Sequence, residues 1–248
     1  MRLFCAIAIV CGLTVTAAAQ TTSNWSYEGK TGPLNWGKLD RAYKACSDGH
    51  EQSPINIRGA HLDKSLQPIE YHYIGGSLTL ENDGHTIIAH VVRGSYIVVD
   101  GVRYDLQYFD FHRPSEEAVN GKLTDMDVQL VHKSAEGKLV IVDVRFALDR
   151  GEANSLLAAL WLHLPAAPGS TTKITDMIDP GVFLPEDRGY WTYMGSLTTP
   201  PCTEGVRWFV YQDPLTMSLS QVRTFDRLFH INSRQLQDAH GRHILANE

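Results

Sequence analysis

The chain has 248 residues, 43% of them hydrophobic, and a formal net charge of −6. That length can bury one sizeable core or two small ones. The mildly acidic balance argues against nucleic acid as a partner, because a phosphate backbone is bound by clustered positive charge.

The first nineteen residues read as a secretory leader. Arg2 supplies the positive start, Leu3 to Val15 the apolar run, and Ala17-Ala18-Ala19 a small-residue cleavage site. The apolar run is too short to span a bilayer, and no later segment is long enough. The expected organisation is therefore a leader over 1–19 and a single domain over 20–248, secreted or periplasmic after cleavage near Ala19. Cys5 and Cys11 leave with the leader; Val10 before Cys11 is a poor match to a lipoprotein cleavage site. Asn24-Trp25-Ser26 fits the N-x-S/T glycosylation signal, which matters only in a eukaryotic host. Cys46 and Cys202 remain. An even pair in an exported chain is most simply a disulfide, with two free thiols as the alternative. Such a bridge closes a loop of about 155 residues, worth about 4–5 kcal/mol as an upper figure in the chain-entropy model.

Residues 24–63 are rich in Trp, Gly and Pro and show little periodicity, which predicts ordered loop. From Ser77 the pattern is strand-like. "SLTLENDGHTIIAHV", "SYIVVDGVRYDLQYFDFH", "DMDVQLVH" and "GKLVIVDVRFAL" are rich in β-branched and aromatic residues. Asn82-Asp83-Gly84, Asp100-Gly101 and Glu136-Gly137 punctuate them as turns. "ANSLLAALWLHL" reads as a helix, and "SLSQVRTFDRLFH" as a second one capped by Ser218 or Ser220. Many strands and few helices predict one mainly-β domain with a large sheet.

The stretch "YFDFHRPSEE" raises the question of function. Asp110 and His112 sit two apart on a predicted strand, so both point to one face. Two such side chains converging on one spot suggest a metal or proton-transfer site.

"NWSYEG", "GPLNWGKL", "CSDGHEQSPINI", "NDGHTI", "FHRPSEE", "LVH" and "YMGSLTTPPCTEGVRWFV" occur in this order over nearly the whole mature chain. Together they resemble the alpha-class carbonic anhydrases. The resemblance implies a twisted, mostly antiparallel sheet of about ten strands, with a few peripheral helices and a conical cavity. Cys46 and Cys202 fall where secreted members carry their disulfide. The implied chemistry is the hydration of CO₂ to bicarbonate by zinc-bound hydroxide. It needs three neutral imidazoles and an open fourth position for water, whose pKa the metal lowers to about 7.

This sequence departs from the family pattern at the ligands. Matched position by position, the three ligands are Asp110, His112 and Gln129, so one histidine of three is kept. The residues behind them have changed as well. The Glu that orients the third ligand is Asp127, one methylene shorter. A buried His of the family is Glu117, and a glycine of the next strand is Asp143. Several carboxylates cannot all stay ionised in a dry core without a cation. Arg145 shares strand parity with Asp143 and could supply one. A hard cation such as Mg²⁺ or Ca²⁺, or raised carboxyl pKa values, are the other possibilities.

Other family positions match. Thr198 stands where a threonine accepts a hydrogen bond from zinc-bound hydroxide, and Glu116 is its carboxylate partner. His85 matches the proton shuttle. Val131, Leu197 and Trp208 match the apolar wall where CO₂ sits, while a usual glutamine on the polar wall is Tyr108. Each also has a plain structural reading as core or as a buried hydrogen-bonded pair. His90 shares a strand face with Ile88 toward the rim, and no other histidine pair has ligand spacing.

Three functions follow as expectations. The first is an exported pseudoenzyme that keeps the fold as a binding or structural module, carries no stoichiometric cofactor, and acts on an unidentified ligand or protein partner. The alternative is a zinc hydratase acting on CO₂ and bicarbonate with an Asp/His/Gln site. A third is a different activity, with a hard metal or esterase-like chemistry.

Overall fold

The structure is a computed structural model that describes residues 25–149 and 153–248. The predicted leader, Cys5, Cys11 and Asn24 lie outside the described residues. The strands are β1 (Asn56–Ile57), β2 (His61–Leu62), β3 (Glu70–His72), β4 (Gly76–Asn82) and β5 (Ile87–Val91). There follow β6 (Tyr96–Val99), β7 (Val102–His112), β8 (Ala118–Val119), β9 (Met126–Ser134) and β10 (Leu139–Leu148). The last are β11 (Thr171–Ile178), β12 (Tyr190–Ser196), β13 (Glu204–Tyr211), β14 (Leu215–Met217) and β15 (Leu245–Ala246).

Thirteen of them form one sheet, with the path β11-β4-β5-β7-β9-β10-β13-β12-β15-β2. The path itself has the expected ten strands; β3, β6 and β14 pair alongside it. The short strands were invisible to periodicity, since two or three residues carry no period. Most pairings are antiparallel, but β10 runs parallel to β13 and β14, and β15 to β2. Those crossovers are what make the sheet mixed.

The centre of the sheet is buried on both faces. In β9, eight of nine residues are buried, so the strand reads as a nearly continuous core segment rather than half-exposed alternation. Side-chain parity still sorts the two faces. Val128 and Leu130 of β9 and Val142 and Val144 of β10 join one large apolar cluster with Phe109 and Phe111 of β7. The opposite face carries Val131, Ile141, Trp208 and Val210 in a second cluster. On that same face, at the other end of these strands, stand the polar residues of the candidate site.

Both predicted helices form. α1 (Trp36–Leu39) and α2 (Ala45–Asp48) are single turns in the N-terminal loop. α3 spans Ser155–Trp161, and Asn154 caps it by accepting from the Leu156 and Leu157 amides. α4 spans Leu219–Asp226, with Ser218 and Gln221 forming a capping box. They bury Leu156, Leu157 and Leu160, and Val222 and Phe225, against the larger cluster.

Cys46 and Cys202 are joined in a disulfide across 156 positions of sequence. The bridge ties the N-terminal segment to the loop after β12, beside buried Trp36. Reduction is expected to lower stability by about 4–5 kcal/mol at most, as long-loop closure implies. Thiol titration of the denatured, unreduced protein should find none free in the mature chain; two free thiols would contradict the bridge.

Candidate functional site

Strand register builds the site. Asp110 of β7 lies opposite Gln129 of β9, and Gln129 lies opposite Asp143 of β10. One rung further, His112 faces Asp127 and Asp127 faces Arg145. Directly opposed residues share a face of the sheet. Two rows of polar side chains therefore run side by side across three central strands, and all but Asp110 are among the buried residues.

His112 is held by its Nδ1, 2.8 Å from the backbone carbonyl of Asn232. A carbonyl only accepts, so Nδ1 carries the proton and Nε2 is turned into the site, 3.8 Å from Asp110 Oδ1. Burial opposes protonation of this imidazole, but the Glu116 and Asp110 carboxylates raise its pKa well above the ordinary value.

Glu116 is the hub. Its Oε2 accepts from Gln129 Nε2 at 2.8 Å, and its Oε1 accepts from the Arg234 amide at 2.9 Å. The resemblance pairs Glu116 with Thr198. Among the described residues Glu116 makes these other bonds instead, and Thr198 is buried without a hydrogen bond to it. The third ligand position thus presents an amide whose NH₂ group is engaged by the neighbouring carboxylate.

Asp127, expected to orient Gln129, instead accepts from the Glu116 amide through Oδ2 at 2.7 Å. Its Oδ1 has no partner, and neither oxygen of Asp143 has one. Arg145 does not form the expected ion pair with Asp143. Its Nη2 donates to the carbonyls of Tyr211 and Gln212, at 3.2 and 2.6 Å. The guanidinium reaches past the sheet to the end of β13, and its charge acts on Asp143 only at a distance. Burial raises the pKa of Asp143 to about 7, partly offset by Arg145. Burial and the Asp143 charge hold Asp127 well above its ordinary value. Asp110 is also raised by burial. Of the possibilities the sequence left open, the Arg145–Asp143 ion pair is not formed, and burial raises these carboxyl pKa values.

Glu117 is hydrogen-bonded outside the two rows, though it feels the Asp143 and Glu116 charges. Its oxygens accept from Tyr193 Oη at 2.5 Å and the Ile55 amide at 2.9 Å. Ser53 extends the network to Tyr193 at 2.9 Å. Burial pushes the Glu117 pKa up, and the Tyr193 bond counters it.

His85 is clamped. Its ring stacks on Trp25 with centroids 3.7 Å apart, its Nε2 lies 3.0 Å from the Trp25 carbonyl, and Nδ1 lies 3.8 Å from Asp83. Val131 and Trp208 join the smaller apolar cluster, with Leu197 and Tyr108 packed against it. The phenol at 108 lies in register with Val131 across the β7–β9 bulge, so it narrows the wall where the resemblance puts CO₂. His90 bonds Glu81 at 2.7 Å and does not join the site.

Sequence reasoning missed three residues. Asn232 fixes His112 and also donates to the carbonyls of Phe111 and His85. Arg234 anchors Glu116 through its amide. Tyr27 buries an unpartnered hydroxyl near the Glu116 and Asp110 charges. The "YEG" of the N-terminal motif could have flagged Tyr27; "INSRQ" holds no recognisable signal.

A zinc hydratase site requires three protein ligands and an open fourth position. The three matched ligand positions offer one imidazole nitrogen, one carboxylate at 3.8 Å from it, and an amide bonded elsewhere. Among the described residues no three His, Cys, Asp or Glu side chains converge as a metal-holding group. The donor set does not fit the three-imidazole requirement.

A family model described as eukaryotic-type carbonic anhydrase matches residues 31–248. A carbonic anhydrase of Klebsiella pneumoniae is 42% identical over 241 residues, which cover 96% of this chain and 97% of that protein. Dioscorin DB3S of Dioscorea polystachya is 31% identical over 247 residues, covering 95% and 91%. Among solved structures, a hyperthermostable carbonic anhydrase from a hydrothermal vent chimney superposes with a TM-score of 0.87 at 37% identity, covering 90% of this chain and 100% of that one. Dioscorin complexed with ascorbate superposes at 0.83 with 31% identity, covering 90% and 97%.

Proposed function

The chain belongs to the alpha-class carbonic anhydrase family, and on that premise we propose that it is an exported member that keeps the fold as a binding module without zinc-hydratase chemistry. The observation that carries this reading is the Gln129 amide bonded to Glu116 at 2.8 Å. It stands at the third ligand position, in a row where Asp110 replaces the first imidazole. A neutral amide is a poor zinc donor, and here it also occupies the carboxylate that the family pairs with Thr198. The clamped His85 and the intruding Tyr108 agree with a site not shaped for turnover. Export is supported by the leader-like N-terminus and by the disulfide, which persists in oxidising compartments. That the fold can receive an organic molecule is supported by the dioscorin structure with ascorbate.

The test is CO₂ hydration by stopped flow on the purified protein, with and without a chelator. The expected rate equals that of buffer in both conditions. A chelator-sensitive rate well above buffer would establish the alternative, a zinc hydratase with an Asp/His/Gln site.

A further inference from the structure

A cavity lies beside the site just described and shares Glu116 and Arg234 with it. It has a volume of about 480 Å³ and opens between the N-terminal segment, the turn after β7 and the segment before β15. Its walls are Pro33, Leu34, Pro114, Leu123, Ile231 and Leu236. Four of these are large apolar side chains left in solvent: Leu34 is 82% exposed, Ile231 47%, Leu123 46% and Leu236 40%. Single exposed leucines are ordinary, but four around one concave opening mark a binding surface.

From this cavity we infer a binding site for a small, uncharged, mainly apolar organic molecule with one polar end. The volume lies within the roughly 300–1,000 Å³ of small-molecule sites. The walls dictate an apolar body. The floor favours neutrality, because its two charges, Glu116 and Arg234, are opposite in sign and hydrogen-bonded to the chain, with the Arg234 Nε–H alone left unpartnered. Both oxygens of Glu116 accept hydrogen bonds. Arg234 donates through Nη1 to Gln52 and Ser53 and through Nη2 to the Cys46 carbonyl. An ion entering there would meet one of them as a like charge without a free counter-charge. The polar end has partners at the rim: the side chains of Asn35, Ser233 and Gln235 line the cavity and make no hydrogen bond to other described residues. Gly29 contributes to the opening by presenting no side chain at φ +61°, with nothing within 4 Å of where a Cβ would stand.

The cavity is wired to the polar rows. Glu116 and Arg234 form its floor, and Asn232, next to Ile231, holds His112. A ligand seated against Ile231 and Arg234 thus touches the segment that positions both Glu116 and His112. The inference stands on the cavity and does not depend on the loss of zinc chemistry.

The experiment is a fluorescence titration of the protein with N-phenyl-1-naphthylamine, a neutral apolar probe with one polar N–H, in the presence of a chelator. The expected result is saturable binding at one probe per chain. Leu34→Asp and Ile231→Asp should each weaken it at least tenfold, with thermal melts confirming that both variants fold. Leu162→Asp, equally exposed at 82% but outside the cavity, should leave it unchanged. No saturable binding overturns the inference. So does equal weakening by Leu162→Asp, which would mean non-specific adsorption. So does probe binding that is absent while Leu34→Asp dissociates a dimer in sedimentation, which would make the face a contact between copies. Zinc or hydratase activity in the same preparation would refute the proposed function and leave this result standing.

Discussion

The double variant Asp110→His with Gln129→His is expected to bind zinc on the order of ten-thousandfold more tightly than the parent. Zinc binding of about 10–16 kcal/mol shared among four ligands assigns roughly 3 kcal/mol to each, and two are restored. The register supports the geometry, since positions 110 and 129 are directly opposed and His112 shares their face. Its Nε2 is already turned inward by the Asn232 carbonyl. Removing the Gln129 amide also frees Glu116 Oε2. Activity should return only in part. Asp127 stays bonded to the Glu116 amide and cannot orient the new ligand. Glu117 with Asp143, where ionised, adds negative charge that raises the pKa of a zinc-bound water. Adding Glu117→His and Asp127→Glu should raise the rate further and move its half-maximal point to lower pH. A zinc titration and a pH–rate profile of both variants check this. A folded double variant with the parent's zinc affinity would refute the ligand assignment, and full activity without the additional changes would refute the role given to Asp127.

Asp143→Asn is expected to stabilise the protein at alkaline pH and not in acid. The Asp143 carboxyl is buried, both oxygens lack partners, and its pKa is pushed up to about 7. The unfolded value is about 3.9. A carboxyl with a raised folded pKa binds its proton more tightly in the folded state. Its cost is absent below the unfolded pKa, grows as pH rises between about 4 and 7, and is complete above. Three units correspond to about 4 kcal/mol as an upper figure, and coupling to Asp127 reduces it, so about 2–4 kcal/mol is expected at pH 8. The parent's own pH curve does not isolate this. His132 is buried neutral on the other face of β9, with its pKa lowered to about 3. That group loses stability in the opposite direction, as pH falls from about 6.5 toward 3, by a similar amount. The difference between variant and parent removes His132. Denaturant unfolding of both at pH 4 and pH 8 should give near-equal stability at pH 4 and a clear gain for the variant at pH 8. An equal effect at both values would mean that the Asp143 carboxyl has the same pKa folded and unfolded.

Much of the site was legible because it lies on long strands. In "YFDFH" the period of two put Asp110 and His112 on one face; Gln129 and Asp127 came from the family resemblance, and the strand register sets them opposite that pair. The same parity placed Arg145 with Asp143, yet parity says nothing of reach. A long guanidinium extends to the carbonyls of Tyr211 and Gln212, and no sequence pattern predicts that endpoint. Likewise Glu116 was matched to Thr198 by position, whereas the Gln129 amide on the adjoining strand donates to its Oε2 instead. Asn232 and Arg234 were illegible because they lie in irregular chain, which carries no periodicity, and act through backbone atoms. The N-terminal region was read as ordered loop. Its single turns and disulfide are tertiary in origin, since α1 and α2 have four residues each and helices so short do not form on propensity.

The most direct measurement is an equilibrium zinc titration of the purified parent against a competing chelator, followed by metal analysis after dialysis. The account predicts weak binding without saturation at one equivalent and no zinc retained. One zinc per chain, held through dialysis and lost in Asp110→Ala, would contradict it and make Asp110, His112 and Gln129 a working metal site.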